Sequence, residues 1–226
     1  MSAPGADARD AVVGRLVAAA LGVLPGPARR GDGVTDLPHG VTLVCVDGLA
    51  GAGKTTLAAD LAGALRERGR TVAVVHMDDL YLGWTGLLAA HREVELIAAS
   101  LERGETVTYR RYDWERDALA ETVTVPRADV LLLEGCGSAP PAVDGVARLV
   151  VAVTAADDLR LTRGLARDGE AMRPEWLAFM ADERALEARD RTTERADVVL
   201  DATGGVLRWG AASVASDVAV PESGSR

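Results

Sequence analysis

Residues 41–55 read VTLVCVD followed directly by GLAGAGKT, an apolar, β-favouring run that passes without a break into a glycine-rich turn. The run does not alternate polar with apolar residues, so it suits a strand covered on both faces, as in a parallel sheet between helices. Beyond the turn, Leu57, Leu61, Ala64 and Leu65 recur at helical spacing until Gly69. A second apolar strand at 71–76 then completes a strand, helix, strand unit, whose crossover is right-handed in nearly all proteins. The chain is thereby committed to an α/β fold.

The turn itself carries chemistry. Gly48 to Thr55 match G-x-x-x-x-G-K-[ST] in full, between a buried strand and a helix, where the phosphate-binding loop (P-loop) mechanism requires the motif. Glycines let consecutive backbone N–H groups turn inward around phosphate oxygens, and the helix N-terminus adds partial positive charge. The candidate nucleotide-binding residues are therefore Gly48, Ala50, Gly51, Ala52, Gly53, Lys54, Thr55 and Thr56. Lys54 is aimed at the β and γ phosphates and Thr55 at Mg²⁺. The alternative, a chance glycine-rich turn, is opposed by the strand and helix on either side. The G-x-G-x-x-G spacing of dinucleotide folds is absent.

Further buried-type strands are expected at 128–135, 147–153 and 196–202, with a short one at 106–109, a helical stretch at 87–101 and a polar segment, RRYDWERDALAET, after it. At the N-terminus, Val12, Leu16, Ala19 and Val23 share a helical face within 8–24, and the run stops at Pro25-Gly26-Pro27. The expected architecture is a P-loop NTPase-type three-layer sandwich with a mostly parallel sheet of about five strands, an extra N-terminal helix and an arginine-containing helical lid. The chain divides into an N-terminal helix and linker (1–40), one kinase-sized domain (41–202) and a C-terminal tail (203–226) expected to fray.

Charge and cysteines narrow the partners. Asp+Glu number 34 against 25 Lys+Arg, for a formal net charge of −9, so no general field draws a nucleic acid and any phosphate site must be local. Cys45 and Cys136 lie in apolar or glycine-rich stretches, which suits reduced thiols in a cytoplasm; a single bridge between them is the alternative. The apolar stretch 11–24 covers about half a bilayer span and Arg15 interrupts it, so no membrane segment is expected, and the opening MSAPGADARD lacks a basic n-region.

Four groups are candidates for the chemistry. Asp78 and Asp79 follow the second strand at the carboxyl edge of the sheet, where one can accept the proton of an attacking hydroxyl or hold Mg²⁺, unless the pair caps a helix. Glu134 closes the strand VLLLE, where it can assist Mg²⁺ or orient an acceptor, or simply lie exposed at a strand end. Arg160, Arg163 and Arg167 share one helical face, as a lid over a triphosphate would need; the alternative is a solvated face paired with Asp157, Asp158 or Asp168. Trp84, Tyr109, Tyr112 and Trp114 cluster in a chain poor in aromatics, as walls for a planar or sugar-like acceptor or as a satellite core. His76 and His91 have no metal-ligand spacing and are assigned no role.

These segments together resemble the uridine kinase family, within the group that includes phosphoribulokinase, nicotinamide riboside kinase and bacterial pantothenate kinase. The resemblance runs from 41 to 202 and rests on VDGLAGAGKTTLA, MDDLY, YDWERDALAETVTVPRADVLLLEG, RLTRGLARD and ADVVLDA. It implies that Lys54 and Thr55 bind ATP and Mg²⁺, that Asp78 is the base, and that Glu134 assists at the metal. It further implies that Tyr112, with Asp79, Tyr81, Asp113 and Glu134, meets the acceptor, and that Arg163 and Arg167 belong to the lid. Two departures stand out: Arg167-Asp168-Gly169-Glu170-Ala171 replaces the usual Glu-Arg-Gly-Arg lid, and GWTGLLAAHREVE replaces the aromatic-Asp-His segment that holds ribose hydroxyls.

The expected function is an ATP- and Mg²⁺-dependent kinase of a small-molecule hydroxyl, with a nucleoside favoured and a sugar, a pantothenate-like compound or an antibiotic intermediate as alternatives. Neither a nucleic acid nor a membrane is an expected partner, and a homo-oligomer is left open. A switch ATPase is the rival from another class. Against it, Asn-Lys-x-Asp is missing and the Asp-x-x-Gly at 201–204 falls near the end, far from where a switch would lie.

Overall fold

The computed structural model describes residues 4–23 and 37–210. In chain order the main elements are α1 (Pro4–Ala20), β1 (Thr42–Gly48), α2 (Lys54–Glu67), β2 (Val72–His76), α3 (His91–Glu102), β3 (Thr108–Asp113) and β4 (Ala118–Thr124). They continue with β5 (Val130–Glu134), β6 (Ala147–Thr154), α4 (Asp157–Asp168), α5 (Arg173–Asp190), a short α6 (Thr192–Arg195), β7 (Val198–Asp201) and β8 (Val206–Trp209).

The central sheet has six strands in the order β2-β5-β1-β6-β7-β8. Five are mutually parallel and β8 runs antiparallel to β7. On β1 the side chains divide by parity. Val44 and Val46 join Leu16, Leu57, Leu61 and Leu65 under α1 and α2, while Leu43 and Cys45 join Val94, Ile97, Phe179 and Leu186 under α3 and α5. All five residues of β5 are buried, as its unbroken VLLL run foretells. The result is the expected three-layer α/β sandwich, and no described helix is long and apolar enough to cross a membrane.

The structure differs from the sequence expectations at three places. A sixth strand, β8, forms at 206–209, inside the stretch expected to be a fraying tail, and the Arg15 guanidinium lies 4.0 Å from the Trp209 ring centroid. Its short edge pairing leaves no long apolar run for the sequence to display; residues 211–226 lie outside the described residues. The polar segment after 109 folds into an antiparallel hairpin, in which β3, with Tyr109 and Tyr112 buried, pairs with a largely exposed β4. Lastly, α1 ends at Ala20, so Val23 is exposed and not part of the buried stripe, and Pro25 to Pro27 fall outside the described residues.

Two glycines fix the packing around the future site. Gly48 has φ 128°, and a Cβ there would lie 2.0 Å from the Val153 carbonyl oxygen, so β1 can turn beside β6 only without a side chain. At Gly164 on α4, a Cβ would lie 2.2 Å from the Trp176 ring, so the small residue lets α4 sit against α5.

Candidate active site

The glycine-rich turn leaves β1 at the carboxyl edge of the sheet and enters α2 at Lys54. Gly53, at the helix N-cap, has φ 104° and supplies no side-chain cap, so the first N–H groups of α2 remain for a ligand. Lys54 is buried, and its Nζ donates to the Leu49 carbonyl (2.8 Å) and the Cys136 Sγ (3.3 Å). Burial works against its charge, but Cys136, Glu183 and Asp47 outweigh it and hold its pKa above the ordinary value.

Asp47 ties the loop after β5 to the start of the turn. Its carboxylate accepts N–H bonds from Gly48 (2.5 Å), Gly137 (2.9 Å) and Ala139 (2.7 Å). Burial nevertheless pushes its pKa up to about 6, against those hydrogen bonds. On the facing strand, Glu134 is buried, with its Oε2 and Oε1 at 3.3 and 3.4 Å from the Thr55 hydroxyl. His76 Nδ1 lies 2.5 Å from Glu134 Oε1, and that hydrogen bond raises the histidine pKa.

The Thr55 hydroxyl and the Glu134 carboxylate form a hard oxygen donor pair. Such a set suits Mg²⁺, which takes one or two protein oxygens and completes its shell with phosphates and water. Among the described residues no cluster of three or more His, Cys, Asp or Glu could hold a metal by itself. A cation here would thus share its ligands with a phosphate.

Helices α4 and α5 reach back to the turn. Arg160 on α4 is fully buried and donates to Glu183 Oε2 (2.8 Å), to the Ala50 carbonyl (3.0 Å) and to Asp157 (2.7 Å). Glu183 on α5 accepts the Ala50 N–H through Oε1, which also lies 3.2 Å from Cys136 Sγ. The pair therefore grips both polar backbone groups of one P-loop residue. Arg160 does not share the exposed face expected of all three arginines, because Glu183 draws it into the interior. Arg163 and Arg167 stay at the cavity, Arg163 donating to the Gly51 carbonyl (3.1 Å) and Arg167 paired with Asp168 (2.7 and 2.9 Å).

A continuous cavity of about 750 Å³ runs along the turn. Residues 50–56, Asp78, Tyr81, Glu134, Arg163 and Arg167 line it, and the structure thus brings most of the sequence candidates together. Asp78 lies in a single 3₁₀ turn after β2, and burial and the charge of Glu134 raise its pKa. Trp114 Nε1 donates to the Asp78 carbonyl (2.9 Å), so the hairpin is anchored beside this turn. Trp84 meets Trp114, Trp176 and Phe179 edge-on at 5.9–6.0 Å, making an aromatic wall next to Asp78.

Besides Arg160, five candidates lie outside the cavity wall: Gly48, Asp79, Tyr109, Tyr112 and Asp113. Gly48 is packed against β6. Asp79 accepts the Tyr109 hydroxyl (3.0 Å), and Tyr112 donates its hydroxyl to Asp117. Asp113 accepts the N–H groups of Glu115 and Arg116 (both 3.1 Å) and caps the hairpin turn. Sequence reasoning passed over Asp47, Cys136, Trp176, Phe179 and Glu183, and gave His76 no role. Only His76 had a readable signal: it ends β2 in register with Glu134, which ends β5, but that pairing needs the strand order.

Fold and cavity together have the architecture of a P-loop kinase. Among solved structures the chain is similar to a possible uridine kinase from Bacillus stearothermophilus (24% identity, 84% of this chain and 98% of that one, TM-score 0.55). It is also similar to a candidate fructose transport system kinase from Silicibacter (21% identity, 78% and 94%, TM-score 0.57). A third likeness is to D-glycerate 3-kinase from Cryptococcus neoformans (13% identity, 92% and 99%, TM-score 0.52). No protein-family profile matches the sequence, and no curated protein does. The likenesses establish the shared fold.

Proposed function

We propose that the protein is a kinase that uses ATP and Mg²⁺ to phosphorylate the hydroxyl of a small molecule in the cytoplasm. One observation carries the reading: a single cavity joins the Lys54 cradle, the Thr55 and Glu134 oxygen pair, the Asp78 carboxyl and two lid arginines. Phosphoryl transfer calls for this set, since catalysis there is mostly positioning plus charge stabilisation.

In this reading the backbone of 50–56 and Lys54 hold the β and γ phosphates. Thr55 and Glu134 would hold Mg²⁺, which supplies charge neutralisation on the phosphate oxygens when bound. Asp78 accepts the proton of the acceptor hydroxyl, and its raised pKa makes it a better acceptor than an ordinary carboxylate. Arg163 and Arg167 offset charge on the moving phosphoryl group, and the aromatic wall excludes water from it. The acceptor favoured by the sequence resemblance is a nucleoside. A different small alcohol is the second reading, favoured by Tyr112 and Asp113 lying outside the cavity wall.

ADP release with ATP, Mg²⁺ and a panel of nucleosides, sugars and pantothenate tests the proposal. Turnover should depend on an added acceptor and disappear in Lys54→Ala. Vigorous acceptor-free hydrolysis, or Lys54→Ala turnover within about tenfold of wild type, would overturn it.

A further inference from the structure

Glu134 closes β5 as a buried carboxylate, and nothing within its own side chain decides which way its two oxygens face. The terminal torsion of a glutamate is broad and roughly two-fold. Thr55 does not decide it either, since its hydroxyl lies 3.3 Å from Oε2 and 3.4 Å from Oε1, nearly equidistant and beyond the usual length of such a bond. A shorter contact breaks the symmetry: His76 Nδ1 lies 2.5 Å from Oε1.

His76 reaches Glu134 along the sheet and not across the cavity. It ends β2 in register with Glu134 on β5, so the backbone pairing of two neighbouring strands sets the distance between them. The His76 side chain is 48% exposed and lies outside the cavity wall, while that of Glu134 is 6% exposed and belongs to the wall. A carboxylate only accepts, so the ring donates from Nδ1. The donor therefore works from behind: it holds one oxygen and leaves Oε2 as the oxygen available on the cavity side.

We propose that His76 is a positioning residue for the cation site, which holds Glu134 Oε1 from outside the cavity so that Oε2 and the Thr55 hydroxyl can share Mg²⁺ with the phosphates of a nucleotide. The inference rests on the kinase reading above, because that reading puts a cation at Thr55 and Glu134. His76 touches neither the cation nor the nucleotide and acts only through Glu134. Partners that orient a metal-ligating carboxylate are typically worth about 10- to 100-fold in metal affinity. A purely structural cross-strand pair would instead alter stability, or nucleotide binding with and without metal alike.

The test uses the full chain and the non-hydrolysable analogue AMPPNP, whose affinity is measured by calorimetry in Mg²⁺ and again in EDTA. The ratio of the two affinities is the gain due to the metal. His76→Phe keeps a ring without a donor, and His76→Asn offers an amide nitrogen at the same remove from the backbone as Nδ1. His76→Phe should cut the gain by about tenfold and leave binding in EDTA unchanged, and His76→Asn should restore it to within about threefold. In a Glu134→Gln background, which itself loses the gain, His76→Phe should cost nothing more. A full gain in His76→Phe, a His76→Asn no better than His76→Phe, or losses that add in the double variant would each overturn the inference. Should His76→Phe not fold, His76→Ala at this half-exposed position takes its place in every comparison. If wild type shows no gain, or Glu134→Gln keeps all of it, no cation meets Glu134, and the inference falls while the phosphate cradle stands. Wild-type protein that binds AMPPNP in neither solution removes the kinase reading, and the inference with it.

Discussion

The proposed phosphate end of the cavity is one continuous stretch of chain, whereas the proposed acceptor end is assembled from four separate pieces: the turn after β2 with its following loop, the hairpin tip, α4 and α5. At the phosphate end the functional groups are backbone N–H groups, aimed by glycine conformations that neighbouring residues specify locally. At the acceptor end they are side chains, Asp78, Trp84, Trp114, Arg167 and Trp176, whose directions depend on packing between distant segments. The first kind of site survives in many contexts. The second can be retuned one residue at a time without touching the first. Arg160 and Glu183 join the two ends, since they come from α4 and α5 yet bind Ala50.

The sharpest break between the two ends should come from Asp78→Asn. Removing the proton acceptor while keeping its shape should lower kcat by about 10² to 10⁴-fold and leave ATP affinity nearly unchanged. Asp79→Asn should do much less, because the Asp79 carboxylate is engaged by Tyr109. Steady-state kinetics with ATP titrations decide; an inactive Asp79→Asn beside an active Asp78→Asn would reverse the assignment.

Glu183→Ala should break the link between the ends. It leaves the fully buried Arg160 without its interior partner and the Ala50 N–H without an acceptor, so stability should fall by about 3–5 kcal/mol in urea unfolding. Replacing both members, Arg160→Met with Glu183→Leu, should recover much of that loss, since an apolar pair of similar volume needs no charge compensation. A loss under about 1 kcal/mol for Glu183→Ala would mean that the buried pair is worth no more than an exposed one.

The smallest effect belongs to Trp114→Ala. Trp114 is 42% exposed, so stability should change little, while the acceptor KM rises by about tenfold and the ATP KM stays put. An equal rise in both KM values would erase the distinction between the ends.

Much of the fold was legible. The strands β1, β2, β5, β6 and β7 show as apolar runs because they are covered on both faces. Of the hairpin only a short strand at 106–109 showed, overlapping the start of β3, while β4 and β8 did not, because exposed strands with polar or mixed sequence carry little periodic signal. Of the site, the turn, Asp78 and Glu134 could be placed at the sheet's carboxyl edge from strand ends alone. Tyr112 and Asp113 sit in the segment most particular to the resemblance, yet their polar groups close the hairpin on itself.

The sequence by itself determined the βα unit and its glycine-rich turn, because glycine, lysine and threonine at fixed offsets specify backbone shape within eight neighbouring residues. Only the tertiary structure decided which arginine turns inward. Arg160, Arg163 and Arg167 look alike on a helical face, and Glu183, 23 residues beyond Arg160, selects one of them by lying where its charge can be met away from water. The same holds for α1, whose apolar stripe announced a helix, while its seat against α2 and β8 is made by Leu57, Leu61 and Trp209, residues far from it in the sequence. Local geometry is written in neighbouring residues, and the burial that orients a charge depends on segments the sequence keeps far apart.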